Sequence, residues 1–81
     1  MTKTIYAPEY ISLVDRIRKR RQELNLRQED VAGRLGVNRN WISKVERREI
    51  RLDVRQVVML CIALDLDPAS TLRPLIEEVT Q

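Results

Sequence analysis

The sequence predicts an all-α fold, a bundle of five short helices. Three observations support this prediction. Apolar residues recur at spacings of three and four in successive segments, which is the period of an amphipathic helix. Residues that start or stop helices, namely Pro, Gly, Asn and Asp, separate those segments. No segment alternates apolar and polar residues as a half-buried strand does, so we expect no sheet.

The first two helices are bounded by residues with clear backbone preferences. Pro8 suits the first turn of a helix, where its missing N–H is not needed, and an apolar stripe then continues to about Leu24. Asn25 follows, a residue that tolerates the left-handed conformation of a helix end. A second, shorter helix is predicted over 28–35 and ends at Gly36, which adopts positive φ without steric cost.

Three further helices are marked by side chains that can cap a helix start. Asn38, Asp53 and Asp67 each carry an oxygen that can accept from the first backbone N–H groups of a helix. Pro74 falls inside the last helix and removes one backbone hydrogen bond, so we expect a kink or break near Arg73. The helices predicted from these signals lie near 39–48, 54–64 and 68–79.

Length and composition narrow the class of protein. Eighty-one residues suit one domain, which we place at 8–81 behind an N-terminal arm over 1–7. Cys61 is the only cysteine and the chain has no His, so we expect neither a disulfide framework nor a zinc site, and a reducing, cytoplasmic location. Neither a membrane-spanning run nor a signal peptide is recognisable. The sequence has no nucleophile elbow or Gly-rich phosphate loop, so we expect no enzyme, cofactor, metal or small-molecule ligand.

Charge is segregated along the chain. The formal net charge is +3, and 14 of the 15 Lys and Arg residues but only 8 of the 12 Asp and Glu residues lie within 1–55. That part of the chain suits a polyanionic partner. A solvated helix face explains its basic run equally well, so charge alone does not decide between the two. The run consists of Arg16, Arg18, Lys19, Arg20 and Arg21.

The segment 28–47 has the residues that a tight helix-turn-helix requires. Ala32 is small enough for a close helix crossing, and Gly36 permits the turn. Because these and the apolar positions agree over about twenty residues, the segment predicts a helix-turn-helix unit. The apolar positions that face the core are Val31, Leu35, Val37, Ile42 and Val45.

The predicted third helix has a polar and basic outward face. A helix of this kind fits the major groove of DNA, where Arg and Lys donate to guanine and Asn pairs with adenine. Ordinary solvated surface residues are the alternative, but the turn signature beside them favours base recognition. A projection at 3.6 residues per turn exposes Arg39, Asn40, Ser43, Lys44 and Arg47.

The stretch LRQEDVAGRLGVNRNWISKVERRE resembles the helix-turn-helix domain of the lambda-repressor and Cro-like (xenobiotic-response-element type) family. The resemblance extends from Ile17 to about Pro68. It implies a transcriptional regulator, a repressor or autoregulator, that binds double-stranded DNA. It also implies that Gln28, the first residue of helix 2, holds a phosphate and that helix 3 reads bases. The implied base-reading residues are Arg39, Asn40, Ser43 and Lys44.

One structural ion pair is expected between helices 1 and 3. Arg21 lies on the apolar stripe of helix 1 and Glu46 on the inward face of helix 3. An unpaired charge at either place would cost several kcal/mol of desolvation. We therefore expect the two side chains to pair, and the family resemblance supports such an Arg–Glu bridge.

Three positions depart from the family pattern. Arg27 replaces the usual Ser or Thr before helix 2, so that cap is missing, and Arg27 is either a phosphate contact or a tolerated surface residue. Arg48 stands where relatives often have Gly, so we expect helix 3 to continue past Glu46, with Arg47 and Arg48 as phosphate contacts. Trp41 is either a wedge against the following loop or a phosphate contact. The aromatic residue at this position is also a point of resemblance to the controller proteins of restriction-modification systems.

The last helix carries an apolar stripe that indicates a protein partner. We expect homodimerisation through it, since one unit reads only a few base pairs and a palindromic operator adds specificity. The alternative is that the stripe covers the protein's own core. An antitoxin that also binds a protein toxin is a further alternative, disfavoured because only about a dozen residues follow Pro68. The stripe consists of Leu72, Leu75, Ile76 and Val79.

Overall fold

The computed structural model describes residues 6–80, which contain five helices and no strand, so the all-α prediction is confirmed. Of the arm predicted over 1–7, only Tyr6 and Ala7 lie within the described residues. No helix among them is both long and apolar enough to cross a membrane. The helices are α1 (Pro8–Glu23), α2 (Gln28–Leu35), α3 (Arg39–Glu46), α4 (Val54–Ala63) and α5 (Pro68–Thr80).

The helices pack around one apolar core. α2 contacts α3 and α4, while α1 contacts α3 and α5. From α5, Thr71 is buried, and Leu72 and Leu75 pack half-buried against the same core. The helix-turn-helix therefore packs on the apolar core that all five helices share. The buried side chains of this core are Tyr10, Leu13, Val14, Ile17, Val31, Ala32, Ile42, Val45, Val57, Leu60, Cys61 and Leu64.

The first four helices end in the same left-handed turn. In each, one residue with positive φ lets its own backbone N–H and the next one fold back onto carbonyls of the last turn. The stops predicted at Asn25 and Gly36 are confirmed. The left-handed residues are Asn25 at 57°, Gly36 at 68°, Arg48 at 58° and Asp65 at 55°.

The exit from α3 differs from the sequence-based expectation. α3 ends at Glu46, so the prediction that it continues to about residue 48 is wrong. The physical reason is the left-handed conformation of Arg48, which turns the chain out of the helix. The N–H of Arg48 donates to the Val45 carbonyl at 3.0 Å, and the N–H of Glu49 donates to the Lys44 carbonyl at 2.9 Å.

Side-chain caps begin three of the helices where the sequence predicts them. Oxygens of Asn38, Asp53 and Asp67 accept from backbone N–H groups two or three residues later, at 2.7 to 3.1 Å. α2 lacks such a cap because Arg27 has no side-chain acceptor. Instead, the carboxylate of Asp30 accepts from the backbone N–H of Arg27 at 2.7 Å. In this bond a side chain of the first turn of α2 caps the backbone N–H that precedes the helix.

Pro74 does not interrupt the last helix. α5 is continuous over Pro68–Thr80, so of the expected kink or break near Arg73 the break is wrong, and the kink stays a prediction. Pro74 has no N–H to donate to the carbonyl of Ser70. Because Ser70 is exposed, water can satisfy that carbonyl, and the absence of this one hydrogen bond is tolerated.

Two arginines close the C-terminal end of α4. Arg20 Nε donates to the Leu64 carbonyl at 2.9 Å, and Arg34 Nη1 donates to the Ala63 carbonyl at 2.8 Å. Cations at this end of a helix also interact favourably with its dipole. α1 and α2 are therefore tied to α4 by side chains that composition alone would assign to a basic surface.

The loop after α3 is fixed by a buried tyrosine. Tyr10 Oη donates to the Ile50 carbonyl at 3.3 Å and accepts from the Leu52 N–H at 3.1 Å. The Tyr10 side chain itself is buried in the core. One residue of α1 thus holds the segment that joins α3 to α4 through both its donor and its acceptor.

Candidate nucleic-acid interface

α2 and α3 form the helix-turn-helix that the sequence predicts. Ala32 is buried where the two helices meet, and Gly36 supplies the left-handed turn between them. Ile42 and Val45 bury the inner face of α3 in the core. This packing fixes the direction in which the opposite face of α3 points.

The outward face of α3 is polar and open to solvent. Arg39, Asn40 and Lys44 are exposed, and Ser43 is half-buried beside them. All four predicted base-reading residues therefore lie on one side of a single helix. Guanidinium, amide, hydroxyl and ammonium groups on such a face match the donor and acceptor edges of bases in the major groove.

The structure brings Arg21 and Glu46 together as a bidentate ion pair. Arg21 Nε lies 2.6 Å from Glu46 Oε2, and Arg21 Nη2 donates to Glu46 Oε1 at 2.9 Å. Arg21 Nη1 also donates to the Leu26 carbonyl at 2.8 Å. The two side chains are only 14% and 7% exposed, so the pair lies largely out of water. The ion pair links the end of α3 to α1 and so holds the outward face of α3 in a fixed direction.

Gln28 extends this ion pair towards the surface. Its Nε2 donates to Glu46 Oε1 at 3.2 Å, which orients the amide at the start of α2. Three arginines and the start of α2, the positive end of its helix dipole, border the space beside it, which suits an oxyanion such as a phosphate. The resulting open basin of about 440 Å³ is lined by Arg21, Arg27, Gln28, Glu29 and Arg39.

Arg27 is held by two acids at one edge of this interface. Its Nη1 lies 3.0 Å from Glu29 Oε1, and its Nε lies 3.3 Å from Asp30 Oδ2. The backbone N–H of Arg27, followed by its guanidinium, holds the pKa of Asp30 below its usual value. The Asp30 hydrogen bond in turn raises the pKa of Arg27. An incoming phosphate must compete with both carboxylates for this guanidinium.

Arg47 and Arg48 directly follow the last residue of α3. Arg47 Nε lies 2.7 Å from Glu49 Oε2, and both side chains are exposed. Arg48 is half-buried at the left-handed turn. Sequence reasoning missed the partners Glu29 and Glu49. A signal for them was present, because each follows its arginine by two residues.

Trp41 lies on the side of α3 that faces α4. It is half-buried and packs against the core, as a structural wedge would. Its ring lines an open groove of about 370 Å³. The other lining residues are Leu35, Val37, Asn38, Arg55, Gln56 and Met59.

The apolar stripe of α5 is divided between core and surface. Leu72 and Leu75 pack half-buried against the core of the same chain. Ile76 and Val79 are 55% and 61% exposed, and they leave an apolar surface on the outer side of the helix.

Other reactive groups lie away from the exposed face of α3. Cys61 is a fully buried core residue, and burial raises the pKa of its thiol. Among residues 6–80, no three His, Cys, Asp or Glu side chains lie close enough together to hold a metal ion.

Comparisons with known proteins agree with this geometry. The family described as "Helix-turn-helix domain" matches residues 12–73. An XRE-family like protein from Pseudomonas syringae pv. tomato str. DC3000 is 33% identical with a TM-score of 0.83, over 96% of this chain and 94% of that chain. A point mutant of the restriction-modification controller protein C.Esp1396I shares the fold at 24% identity and a TM-score of 0.75, over 93% and 95% of the two chains. No curated protein matches the sequence significantly. The chain therefore belongs to the XRE, or lambda-repressor-like, family of helix-turn-helix DNA-binding transcriptional regulators.

Proposed function

We propose that the protein is a sequence-specific regulator that binds a palindromic operator in double-stranded DNA as a homodimer. The exposed face of α3 carries this proposal. Arg39, Asn40 and Lys44 project from a helix whose inner face is buried and whose end is tied to α1 through Glu46. A rigid helix with such a face can enter the major groove without reorganisation of its backbone.

Base recognition and backbone contact fall to different residues in this proposal. Arg39, Asn40, Ser43 and Lys44 read bases. The basin beside Gln28 supports a phosphate contact at the start of α2, because three arginines line it and the first turn of a helix favours an anion. The remaining phosphate contacts are Arg27, Trp41, Arg47 and Arg48.

The size of α3 supports a dimer. Eight residues at about 1.5 Å each give a helix of about 12 Å, which reads only a few base pairs. Two copies on half-sites about 34 Å apart double the recognised sequence. The exposed Ile76 and Val79 on α5 offer the apolar surface for such a contact, while Leu72 and Leu75 support them from the core. When the protein occupies an operator within a promoter, it represses transcription. The degree of repression then depends on the concentration of the protein.

Selection of binding sites from randomised duplexes tests the proposal. The wild-type protein is expected to enrich a palindrome. Asn40→Ala and Lys44→Ala should relax preference at particular base pairs and cost about 1–3 kcal/mol for each bidentate base pairing removed. Gln28→Ala should weaken binding to all sequences about equally. Arg73→Ala on α5 is the control for loss of a positive charge. Unaltered sequence preference in both α3 variants contradicts the assignment of these residues.

A controller role in a restriction-modification system is a second candidate. The observation in its favour is the shared fold with the controller protein C.Esp1396I over 93% of this chain. The selected palindrome distinguishes the two candidates when it is located in the genome. A controller is expected to bind upstream of an adjacent restriction gene, whereas a general regulator binds elsewhere.

A further inference from the structure

We propose that Glu29 and Glu49 limit the DNA affinity of this protein by engaging Arg27 and Arg47 in ion pairs that a phosphate must displace. The inference rests on the proposed phosphate contacts of those two arginines. It assigns a role to two acidic residues that neither the family match nor the base-reading face accounts for.

An exposed arginine pairs with an acid two residues later both beside the start of α2 and just after the end of α3. Arg27 shares its basin with Arg39, the first residue of α3, and Arg47 follows directly after the last. The N to O distances of the two pairs are 3.0 Å and 2.7 Å. The guanidinium groups of Arg27 and Arg47 are therefore already paired before DNA binds.

Asp30 differs from these two acids because it has a structural task. Its carboxylate accepts from the backbone N–H of Arg27 at 2.7 Å and closes the start of α2. Removal of Asp30 would alter the helix as well as the charge. Glu29 and Glu49 form side-chain pairs at the surface, and within residues 6–80 no backbone N–H is seen to donate to them, so their charge can be removed without loss of such a bond.

Displacement of an acid by a phosphate has two measurable consequences. An exposed ion pair changes an equilibrium by no more than about fivefold, which bounds the effect of each acid on affinity. The released carboxylate also takes up a counterion, which offsets the counterion that the phosphate contact releases. Each pair thus lowers the magnitude of the slope of log K against log salt concentration. One phosphate contact contributes about 0.9 to that magnitude. The penalty falls on every duplex, so it keeps non-specific binding weak and leaves the base contacts to decide where the protein stays.

The test compares Glu49→Gln with Glu23→Gln. Glu23 forms an exposed ion pair with Arg20 at 3.7 Å, so its substitution makes the same change in net charge away from α3. Binding to a random-sequence duplex is measured over a range of salt concentrations. Glu49→Gln should bind about two- to fivefold more tightly at low salt than Glu23→Gln, with a slope steeper by up to about 0.9. Glu29→Gln should give a change in the same direction but smaller, because Asp30 still pairs with Arg27.

Arg47→Gln separates this inference from the proposed contact. If Arg47→Gln leaves affinity unchanged, Arg47 does not contact a phosphate, and the inference falls with the contact. If Arg47→Gln weakens binding while Glu49→Gln equals Glu23→Gln in affinity and slope, the contact stands and the inference is overturned. When Arg47→Gln is already present, Glu49→Gln has no guanidinium to release. It should then change the DNA affinity and its salt slope only as much as Glu23→Gln does.

Discussion

Five arginines of this chain have three different roles, and the contacts of each side chain decide which. Arg21 forms a largely buried ion pair that orients α3. Arg20 and Arg34 close the end of α4 through backbone carbonyls. Arg27 and Arg47 lie exposed beside acids at the edges of the proposed DNA surface. The 15 Lys and Arg residues of the chain therefore overstate the number of cations that are free to face DNA.

The ion pair at Glu46 leads to a prediction of stability. Arg21→Met should lower the free energy of unfolding by about 3–5 kcal/mol, because it leaves a buried carboxylate with Gln28 as its remaining side-chain donor. The double variant Arg21→Met/Glu46→Leu should be destabilised less, since no charge is then buried alone. Urea denaturation measures both, with Arg16→Met as the control for an exposed cation of α1. A single variant as stable as the double variant would contradict this account.

At the level of the helices, the four left-handed turns set the lengths of α1 to α4. Only one of them uses glycine, at Gly36 in the turn that joins α2 to α3. A residue with a Cβ costs about 1–2 kcal/mol in this conformation, which Asn25, Arg48 and Asp65 accept. The turn that positions the recognition helix is thus the one with the least backbone strain.

The two glycines of the chain form a matched pair that tests this point. A Cβ at either Gly33 or Gly36 would meet no atom within 4 Å, so any effect of alanine arises from the backbone. Gly36→Ala, at φ 68°, should lower the free energy of unfolding by about 1 kcal/mol. Gly33→Ala, inside α2, should raise it by about 0.5–1 kcal/mol. Thermal melts of both variants check the opposite signs, and equal signs would refute the explanation.

Across the molecule, two different surfaces lie on different helices. α3 has a basic and polar face, whereas the outer side of α5 combines exposed Ile76 and Val79 with Glu77 and Glu78. The described residues measure 36 × 24 × 20 Å, comparable in length to one turn of DNA. A second copy joined through α5 leaves both α3 faces free for DNA.

The proposed dimer leads to a prediction about assembly and DNA affinity. Ile76→Glu combined with Val79→Glu should yield a folded monomer, because both side chains are already exposed. Its affinity for a palindromic operator should fall about 100-fold or more, since the second half-site loses its tethered neighbour. Leu75→Glu is the contrasting variant, which should lower the melting temperature because Leu75 packs on the core. Sedimentation with and without operator measures the assembly, and a wild-type monomer in both states would exclude the dimer.

The helices, the helix-turn-helix and the composition of the α3 face follow from the amino-acid sequence alone. These features depend on residues within about four positions of each other, where helical periodicity, caps and turn residues act. Asn38 and Gly36 are examples, because each shapes the chain through its own backbone or the next turn. Arg21 and Glu46 were also predictable, since a charge on an inward stripe requires a partner.

The exit of α3, the continuity of α5 and the carbonyl partners of Arg20 and Arg34 depend instead on tertiary packing. The loop that follows the left-handed Arg48 is held by Tyr10, about forty positions earlier. Leu75 turns to the core of its own chain because α5 packs against α1. Contacts between residues so far apart in sequence leave no periodic signal, and their geometry exists only once the helices have packed.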